Sequence, residues 1–396
     1  MLRTRTRLAA LMTASLALGP VGCSAAEPGG STEPGGSTDP ASILRPPPGS
    51  DGAGQTDPAT PPTSPVTPTT HSTAPPTKPP SRPVTIAFAG DVHFESFLAP
   101  RLEHPATAMG PLTRVLARAD LSIVNLEAAV TTRGAPQPKE YTFRAPPVVF
   151  TALKDAGIDV VTMANNHGLD YGPVSVPDAL AAARAAGMPV IGIGADAAEA
   201  YQPWIVAVHG QRIAFLGATA VVDSPLVESW SATADQPGVA TALDGNNAAL
   251  VAAVKAVRRH VDTVVVDMHY GSDLLSCPTE IQRTLANDLV RAGADIIVGQ
   301  HAHTLLGGGY LGSSYVDFGM GNFQFYVSTG SPSATTGVLV LTVDGREVTR
   351  PRWIPGQIVN GLPIRLTGET AEDAIVRWAA LRQCAGLAAR PMPVSR

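Results

Sequence analysis

Residues that can bind a metal ion recur in this sequence at the ends of short apolar runs. The segments in question are Gly90-Asp91-Val92-His93, Asn125-Leu126-Glu127, Asn165-Asn166-His167, Met268-His269-Tyr270-Gly271 and Gly299-Gln300-His301-Ala302-His303. The chain has nine histidines, and five of them fall in these segments. A single Asp-x-His pair, or one histidine after a strand, is more often a turn or packing residue than a metal ligand. Five such segments in order are not explained by turns or packing alone. The sequence therefore predicts that distant parts of the chain build one metal centre.

The donor groups of these segments indicate which ions the centre holds. Carboxylate, imidazole and amide oxygen suit divalent ions such as Mn, Fe or Zn. A centre with two ions about 3.5–4 Å apart needs a carboxylate that bridges them, and Glu127 is the acidic residue at the second strand end. Two ions lower the pKa of a bound water to about 7 and hold the attacking and leaving oxygens of a phosphoryl transfer, while a free histidine can protonate the leaving group. We therefore expect two divalent transition-metal ions and a hydrolase.

The elements that position these residues alternate along the chain from Val84 onward. The predicted strands are Val84–Ala89, Leu121–Leu126, Val160–Met163, Val190–Ile193, Ile213–Gly217, Thr263–Met268, Asp295–Val298 and Val338–Val343. The predicted helices are Leu112–Ala119, Val148–Ala156, Val176–Ala186, Ala248–His260 and Glu280–Ala292, with a further amphipathic helix at Thr370–Ala385. This alternation predicts a layered α/β domain. Ligands of such domains collect at the carboxyl ends of the strands, which is where the five segments fall.

The first 23 residues have the pattern of a secretory signal peptide. A basic start precedes the apolar run Leu8–Leu18, which is shorter than the roughly 20 residues of a membrane span. Cys23 has two interpretations, because Val21-Gly22-Cys23-Ser24 is similar to a bacterial lipobox and ordinary cleavage near Ala25-Ala26 would remove it. The stalk that follows favours the lipid anchor. We expect an exported lipoprotein at the outer face of the cell membrane or in the cell envelope.

Residues 24–83 predict a disordered linker. They hold 16 of the chain's 37 prolines, together with many Thr, Ser and Gly residues. Such a segment cannot bury enough apolar surface to offset the entropy lost on ordering. We expect residues 84–360 to form the main domain and residues 361–396 a C-terminal helix and tail.

Charge and cysteine content limit the classes of partner. The formal net charge is −5, which argues against nucleic-acid binding, since that function needs a basic face. The folded region contains Cys277 and Cys384. In an oxidising compartment these two could form one disulfide, and two buried free thiols are an equally good interpretation.

The chemistry-bearing segments, in this order, resemble the metallophosphatase (calcineurin-like phosphoesterase) superfamily, and more closely its CapA family of bacterial capsule and poly-γ-glutamate synthesis proteins. The segments that carry the resemblance are Gly90-Asp91, Asn125-Leu126-Glu127, Tyr141-Thr142-Phe143-Arg144-Ala145-Pro146, Asn165-Asn166-His167-x-x-Asp170-Tyr171-Gly172, His269-Tyr270-Gly271 and Gly319-Met320-Gly321-Asn322-Phe323. They span residues 84 to about 330. The resemblance implies an α/β fold of metallophosphatase type, a four-layer α/β/β/α sandwich with the site at the sheet edge.

The resemblance also implies roles for individual residues. Asp91, His93 and His303 would hold the first ion. The second ion would be held by Asn166, His269 and His301. Glu127 would bridge both ions in place of the superfamily's usual Asp, and His167 would be the general acid. Two positions depart from the CapA pattern: His93 replaces a commonly apolar residue, and Asp273 replaces a Glu.

Two further residues are candidates for substrate binding, namely Arg144 and Asn322. An exposed arginine is usually only solvated, and an Asn between glycines can simply cap a turn. The resulting expectation is a surface-anchored capsule-synthesis protein with a phosphoesterase-type hydrolase site for an anionic small molecule or polymer. Other capsule-synthesis proteins would be partners. The alternatives are a non-catalytic accessory protein that binds or anchors the polymer and a metal-dependent amide hydrolase of polyglutamate.

Overall fold

The computed structural model describes residues 81–243 and 246–392. The predicted signal peptide, Cys23 and the predicted linker up to residue 80 lie outside the described residues. In the part that is described, none of the helices combines the length and the apolar character needed to cross a membrane.

The described chain is mixed α/β, as the alternating pattern predicted. Its strands are β1 Val84–Val92, β2 Leu121–Leu126, β3 Ala129–Val130, β4 Arg144–Ala145, β5 Val160–Thr162, β6 Val190–Ile191, β7 Ile193–Gly194, β8 Trp204–Val208, β9 Gln211–Thr219, β10 Gly238–Val239, β11 Thr263–Tyr270, β12 Ile296–His301, β13 Gly308–Leu311, β14 Ser314–Asp317, β15 Asn322–Gln324, β16 Thr335–Asp344, β17 Glu347–Val359 and β18 Leu362–Arg365. Its α-helices are α1 Thr113–Leu116, α2 Val149–Asp155, α3 Ser175–Ala186, α4 Ala197–Ala200, α5 Val227–Trp230, α6 Ala248–Arg258, α7 Glu280–Ala292 and α8 Gly368–Ala385.

Two sheets make up most of the described structure. The larger sheet has the order β18-β17-β16-β1-β2-β5-β6, and β15 also pairs with β1. Its β1, β2, β5 and β6 are parallel, whereas β16, β17 and β18 are antiparallel. The second sheet has the order β13-β14-β12-β11-β9-β8, with β9, β11, β12 and β14 parallel. The parallel strands of both sheets are the ones that carry the predicted metal-binding segments.

The apolar core lies in three clusters that define the layers. In β1, Ile86 and Phe88 point into a cluster that also contains Phe215 and Val265 of the second sheet, so the two sheets pack face to face. The alternate residues of β1 point the other way, into a cluster with side chains of α2 and α3. The outer face of the second sheet packs against α6 and α7. The core therefore runs from helices through two sheets to helices.

Glycines end two of the long helices. Gly187 ends α3 and Gly293 ends α7, and both have the left-handed backbone conformation that glycine adopts without a steric penalty. The N-terminus of α7 is closed by a capping box between Thr279 and Gln282. The predicted helix 112–119 is shorter than expected, because its last residues make the tighter bonds of a 3₁₀ turn, from Arg118 N–H to the carbonyl of Val115 for example.

The C-terminal segment belongs to the main sheet rather than to a separate tail. β18 pairs with β17, so the predicted boundary at residue 360 falls in the turn of a hairpin. The following helix α8 buries Trp378, whose ring stacks on Trp353 of β17 at 5.1 Å between centroids. Arg382 of the same helix donates to the carbonyl of Gly308 at 2.7 Å. These contacts place residues 362–385 with the domain.

A disulfide joins Cys277 to Cys384 and resolves the two interpretations of these cysteines. It connects the loop after β11 to the end of α8 across 107 residues of sequence. Arg283 of α7 reinforces the junction, because its guanidinium donates to the carbonyls of Cys384 and Ala385, both at 2.6 Å.

Replacing Cys277 and Cys384 together by Ser should lower the free energy of unfolding by about 2–5 kcal/mol, since opening a loop of about 100 residues restores entropy to the unfolded chain. Urea unfolding of the purified full chain without reductant measures this difference. The unmodified chain in excess reductant is the control and should unfold at the midpoint of the double variant. A double variant with the midpoint of the oxidised chain would contradict this account.

Candidate metal centre

The carboxyl ends of the parallel strands in both sheets meet at one edge of the molecule. Asp91 near the end of β1 accepts a hydrogen bond at 3.2 Å from the backbone N–H of His301 at the end of β12. Gln300 of the same strand donates to the carbonyl of Ala89 at 3.3 Å. These bonds join the first sheet to the second at the place where the predicted ligands lie. The structure thus brings the five sequence segments to one edge.

Glu127 is the central residue of this edge. Its side chain is fully buried, and neither carboxylate oxygen has a hydrogen-bond partner among the described residues. Three imidazoles surround one of the oxygens, with Nε2 of His269 at 3.5 Å, Nε2 of His167 at 3.9 Å and Nε2 of His303 at 4.0 Å. Burial, and then the nearby carboxylate of Asp91, raise the pKa of Glu127 well above its usual value. A bound cation would supply the missing partner and restore the charged carboxylate.

Glu127, His301 and His303 form a group with metal-binding geometry. One potential ligand atom from each of the three residues lies within 4.8 Å of the others. Nδ1 of His301 is buried without a hydrogen-bond partner. Burial, and then the neighbouring His303, lower the pKa of His301 to about 4, so this imidazole is neutral at pH 7. The neutral imidazole is the form that binds metal ions, and the three residues therefore fit a divalent ion.

Asp91 lies beside this group. Its carboxylate accepts a hydrogen bond from Nδ2 of Asn125 at 2.8 Å and lies 3.5 Å from Nδ1 of His303. The same Asn125 accepts a hydrogen bond at 2.9 Å from Asn165, so its amide is held from both ends. Asn125 therefore fixes the direction of the Asp91 carboxylate. The sequence marked Asn125 only as part of a motif, and its buried position is what reveals this role.

Asn166 and His269 come together as the sequence predicted for one ion. Oδ1 of Asn166 lies 2.8 Å from Nε2 of His269, and His269 is fully buried. Burial, and then His301, lower the pKa of His269 well below its usual value, which keeps this ring neutral as well.

His303 and Asn322 form a second pair at the rim. Nδ1 of His303 lies 2.9 Å from Oδ1 of Asn322, and the Asn322 amide also donates to the carbonyl of Ser333 at 3.0 Å. Asn322 is therefore part of the site, where the sequence left open a structural role as a turn cap. His301 and His303 both have positive φ values, 85° and 51°. A non-glycine residue in this region is strained, and such strain is typical of functional sites.

His93 has different contacts from those expected of a metal ligand. Its Nδ1 faces the backbone N–H of Glu95 at 2.9 Å, and its Nε2 faces the backbone N–H of Tyr326 at 3.3 Å. The ring also packs against Phe143 and Phe325, with centroids 4.8 and 4.0 Å away. Among the described residues, the cluster with metal-binding geometry contains Glu127, His301 and His303 but not His93. The ligand role that the resemblance implies for His93 therefore stays a prediction.

His167 is held in place by a buried carboxylate. Nδ1 of His167 lies 2.5 Å from Oδ2 of Asp170, and its ring stacks on Phe143 with centroids 3.9 Å apart. Burial raises the pKa of Asp170 to about 7, although Lys139 opposes the shift. Burial, and then Lys139, lower the pKa of His167 well below its usual value. Asp170 therefore orients the imidazole so that Nε2 points towards Glu127.

Lys139 is the residue that sequence reasoning missed. Its ammonium group is almost fully buried, 3.1 Å from Oδ1 of Asp170 and 3.1 Å from Oδ2 of Asp223. It also donates to the backbone carbonyl of Asn166 and lies 5.2 Å from the ring centroid of Trp230. These contacts join the loop before β4 to the Asn166-His167 segment. A lysine in a Pro-rich loop gives no such signal in the sequence.

Arg144 lies apart from the cleft over the metal centre. The cleft has a volume of about 490 Å³. Its lining residues are Lys139, Glu140, Tyr141, Phe143, Asn166, His167, Asp223, Asp273, Leu274, His301, His303, Asn322, Phe325, Tyr326, Val327 and Ser333. Arg144 is exposed, and its guanidinium stacks over the ring of Tyr171 at 4.0 Å. Arg144 is not among the residues that line this cleft, whereas Lys139 is.

Asp273 also reaches the cleft. Its carboxylate lies 3.3 Å from Nε2 of His301, on the solvent side of that ring. The side chain is 67% exposed, so it closes the outer boundary of the site rather than its buried base.

Comparisons with known proteins place this chain in a family. Residues 85–327 match the sequence model of a family described as "Bacterial capsule synthesis protein PGA_cap". The capsule biosynthesis protein CapA of Bacillus anthracis is 33% identical over 178 residues, which cover 44% of this chain and 42% of that protein. A probable polyglutamine synthesis accessory protein of Mycobacterium tuberculosis is 32% identical over 191 residues, which cover 46% of this chain and 50% of that protein. The chain thus matches about half the length of these curated relatives.

Solved structures show only a distant likeness. A phosphatase from Mycoplasma pneumoniae has 15% identity and a TM-score of 0.43, with 69% of this chain and 94% of that chain covered. A putative 5'-nucleotidase from Staphylococcus aureus has 17% identity and a TM-score of 0.42, with 76% of this chain and 58% of that chain covered. Family membership rests instead on the sequence match, which covers more than half of the chain and confirms the resemblance seen in the motifs. This chain belongs to the PGA_cap family of bacterial capsule synthesis proteins, the family of CapA.

Proposed function

We propose that this chain is an exported, surface-anchored protein of poly-γ-glutamate capsule synthesis with a hydrolase site of metallophosphatase type that holds two divalent transition-metal ions. The observation that carries the catalytic part is Glu127, a fully buried carboxylate without hydrogen-bond partners that lies among three imidazoles. The capsule context comes from the family and from the names of its relatives.

The residues around Glu127 fit such a pair of ions. Asp91 and His303 would hold one ion, and Glu127 would bridge to a second ion held by Asn166, His269 and His301. When bound, the ions would supply a water with a lowered pKa and a clamp for the oxygens of a phosphoester. His93 is not needed for this set, since its ring nitrogens face the backbone.

His167 would handle the proton on the leaving group. Nδ1 of His167 lies against Asp170, and Nε2 faces Glu127, so a neutral ring with its proton on Nδ1 would leave the lone pair of Nε2 free. An anionic substrate in the cleft would favour the protonated ring, because an opposite charge at short distance raises the pKa of an imidazole. His167 can then donate from Nε2, as a general acid must.

Lys139 adds a positive charge to the same cleft. Its ammonium group lies between the carboxylates of Asp170 and Asp223, and both Lys139 and Asp223 line the cleft. This pairing keeps the Asn166-His167 segment in place. The aromatic rings of Tyr141, Phe325 and Tyr326 complete the walls. Because the lining also contains the carboxylates of Glu140, Asp223 and Asp273, the attraction for an anionic phosphoester would come from the bound ions.

A role in binding alone does not explain these contacts. A protein that only anchors a polymer needs neither an orienting carboxylate behind His167 nor a buried carboxylate kept free of hydrogen bonds. Both features cost free energy, and both have a purpose in a hydrolase. Hydrolysis of an amide bond in polyglutamate remains the second candidate, because the same ions would polarise a carbonyl group.

The purified full chain, from cells grown with Mn, Fe and Zn, should contain close to two transition-metal ions per molecule. Glu127→Gln removes the bridging charge and should lower this content to one ion or none, and mild acid should also release metal because the ligands take up protons. Elemental analysis measures both effects. His260→Ala, at an exposed position, is the control and should keep the full content. An unmodified chain without metal would contradict the proposal.

His167→Ala should keep the metal content but lower the turnover of an aryl phosphomonoester or phosphodiester about 100-fold or more, since general acid catalysis by histidine contributes at least that much. The measurement is the steady-state rate together with the metal content of the same sample. His260→Ala again serves as the control. Unchanged turnover in the His167 variant would make His167 a structural residue.

The proposed anchor predicts that Cys23→Ser moves the protein out of the membrane fraction, because the sulfur that would carry the lipid is lost. Cell fractionation with an antibody against the folded domain measures the distribution. Ser24→Ala, one residue further along, should stay with the membranes. Equal distribution of the Cys23 variant and the unmodified chain would show that another feature holds the protein at its location.

A further inference from the structure

A groove lined by unpaired arginines lies on the outer face of the larger sheet. It has a volume of about 460 Å³ and runs between the end of α1, the strands β16 to β18 and the start of α8. We call it the arginine groove and define it by Arg118, Arg352 and Arg365, which come from three different elements. It shares no lining residue with the metal cleft. The groove is therefore a second site on the domain.

The three guanidinium groups have no counter-charge in the described structure. All three arginines are exposed, and in the described residues their side chains make no hydrogen bond or ion pair. The groove has no Asp or Glu among its described lining residues. Asp120, which is half-buried, accepts hydrogen bonds from the backbone N–H and the hydroxyl of Thr85, a residue of the groove lining, at 2.8 and 2.6 Å. A chain with a formal net charge of −5 thus keeps a local cationic site.

A smaller pocket lies next to the arginine groove. It shares Trp353 and Pro355 with the groove and adds Arg377 of α8, a fourth exposed arginine for which the described residues offer no partner. It is also lined by Thr304 and Pro332. Thr304 directly follows His303 in sequence and Pro332 directly precedes Ser333, and both His303 and Ser333 line the metal cleft. The groove and the smaller pocket therefore form one path along the surface, which ends at segments adjoining the metal cleft.

The path alternates positive charge with apolar surface. Between the arginines, the lining includes the side chains of Val115, Ile354 and Ile375, and further along the stacked rings of Trp353 and Trp378. The planar guanidinium group binds a carboxylate with two parallel hydrogen bonds. A polymer with carboxylates separated by methylene groups matches both features, whereas a polyphosphate has no apolar segment for the hydrophobic surface. The acidic residues of α8, Glu369, Glu372 and Asp373, line neither pocket.

We propose that Arg118, Arg352, Arg365 and Arg377 bind an extended polycarboxylate, such as poly-γ-glutamate, and lead it towards the metal cleft. The identity of the polymer rests on the proposed capsule function. The arginine path explains how an acidic protein can hold a polyanion, because the binding is confined to one line of unpaired charges. The metal cleft then receives only the part of the polymer that reaches it.

The test measures binding of fluorescent poly-γ-glutamate to the purified full chain. Replacing the four arginines by Gln should weaken binding about tenfold or more, since four exposed charge pairs are lost. A matched control replaces four other exposed arginines that line none of these pockets and so makes the same change in net charge. The affinity of this control should stay within about twofold of the unmodified chain, because exposed charges far from the bound polymer are screened by salt. The control residues are Arg114, Arg212, Arg259 and Arg390.

Two further arms separate this inference from the proposed function. Glu127→Gln should keep most of the polymer affinity, because the path lies outside the metal centre. Loss of binding in Glu127→Gln with full binding in the four-arginine variant would overturn the arginine path and leave the metal site intact. Polyphosphate and anionic lipid vesicles serve as competing probes, and tighter binding of either than of poly-γ-glutamate would overturn the polycarboxylate assignment. Equal losses in the four-arginine variant and its control would also overturn it.

Discussion

The site depends on a carboxylate that the protein itself does not satisfy. Glu127 is fully buried, and its two oxygens lack hydrogen-bond donors in the described structure although Asn125 and Asn165 lie close by in sequence or space. These amides are directed elsewhere, Asn125 to Asp91 and Asn165 to Asn125 and to the carbonyl of Leu126. Burying an unpaired carboxylate costs free energy that the surrounding fold must supply. Because the neighbouring amides are directed elsewhere, the Glu127 oxygens stay available for a cation, which the group of Glu127, His301 and His303 could bind.

The fold meets this cost through the packing of two sheets. Side chains such as Phe88 and Val265 fill the layer between the sheets and fix the distance between the ends of β1 and β12. Asp91 then meets the backbone of His301, and β15 pairs with β1 so that Asn322 stands opposite Asp91. Asp91, His269 and His301 lie on strands of the core, and Glu127 and His303 lie within two residues of a strand end. Asn166 lies in the turn after β5.

Much of this arrangement could be predicted from the sequence, because strand ends are marked by the change from apolar runs to polar residues. The positions of Asp91, Glu127, Asn166, His269, His301 and His303 follow from that rule and from the meeting of parallel strand ends at one edge. The position of a residue at a strand end does not predict the direction in which the ring nitrogens of a histidine point. His93 stands two residues from Asp91, yet its ring nitrogens face the backbone of Glu95 and of Tyr326, more than 200 residues away in sequence. The buried position of Lys139 could not be predicted for a related reason. Its contacts are with Asp170, Asp223 and Trp230, which the fold brings together from later segments of the chain.

The disulfide between Cys277 and Cys384 joins the loop beside the metal cleft to the helix beside the arginine path. Cys277 follows Asp273 and Leu274, which border the metal cleft, and Cys384 ends the helix that carries Arg377. Thiols of a newly made chain stay reduced in the cytosol and are oxidised only after transfer to an oxidising compartment. In a chain exported as proposed, the disulfide would form only after transfer. The redox state of the surroundings would then decide when the loop at the cleft is joined to the helix that carries Arg377.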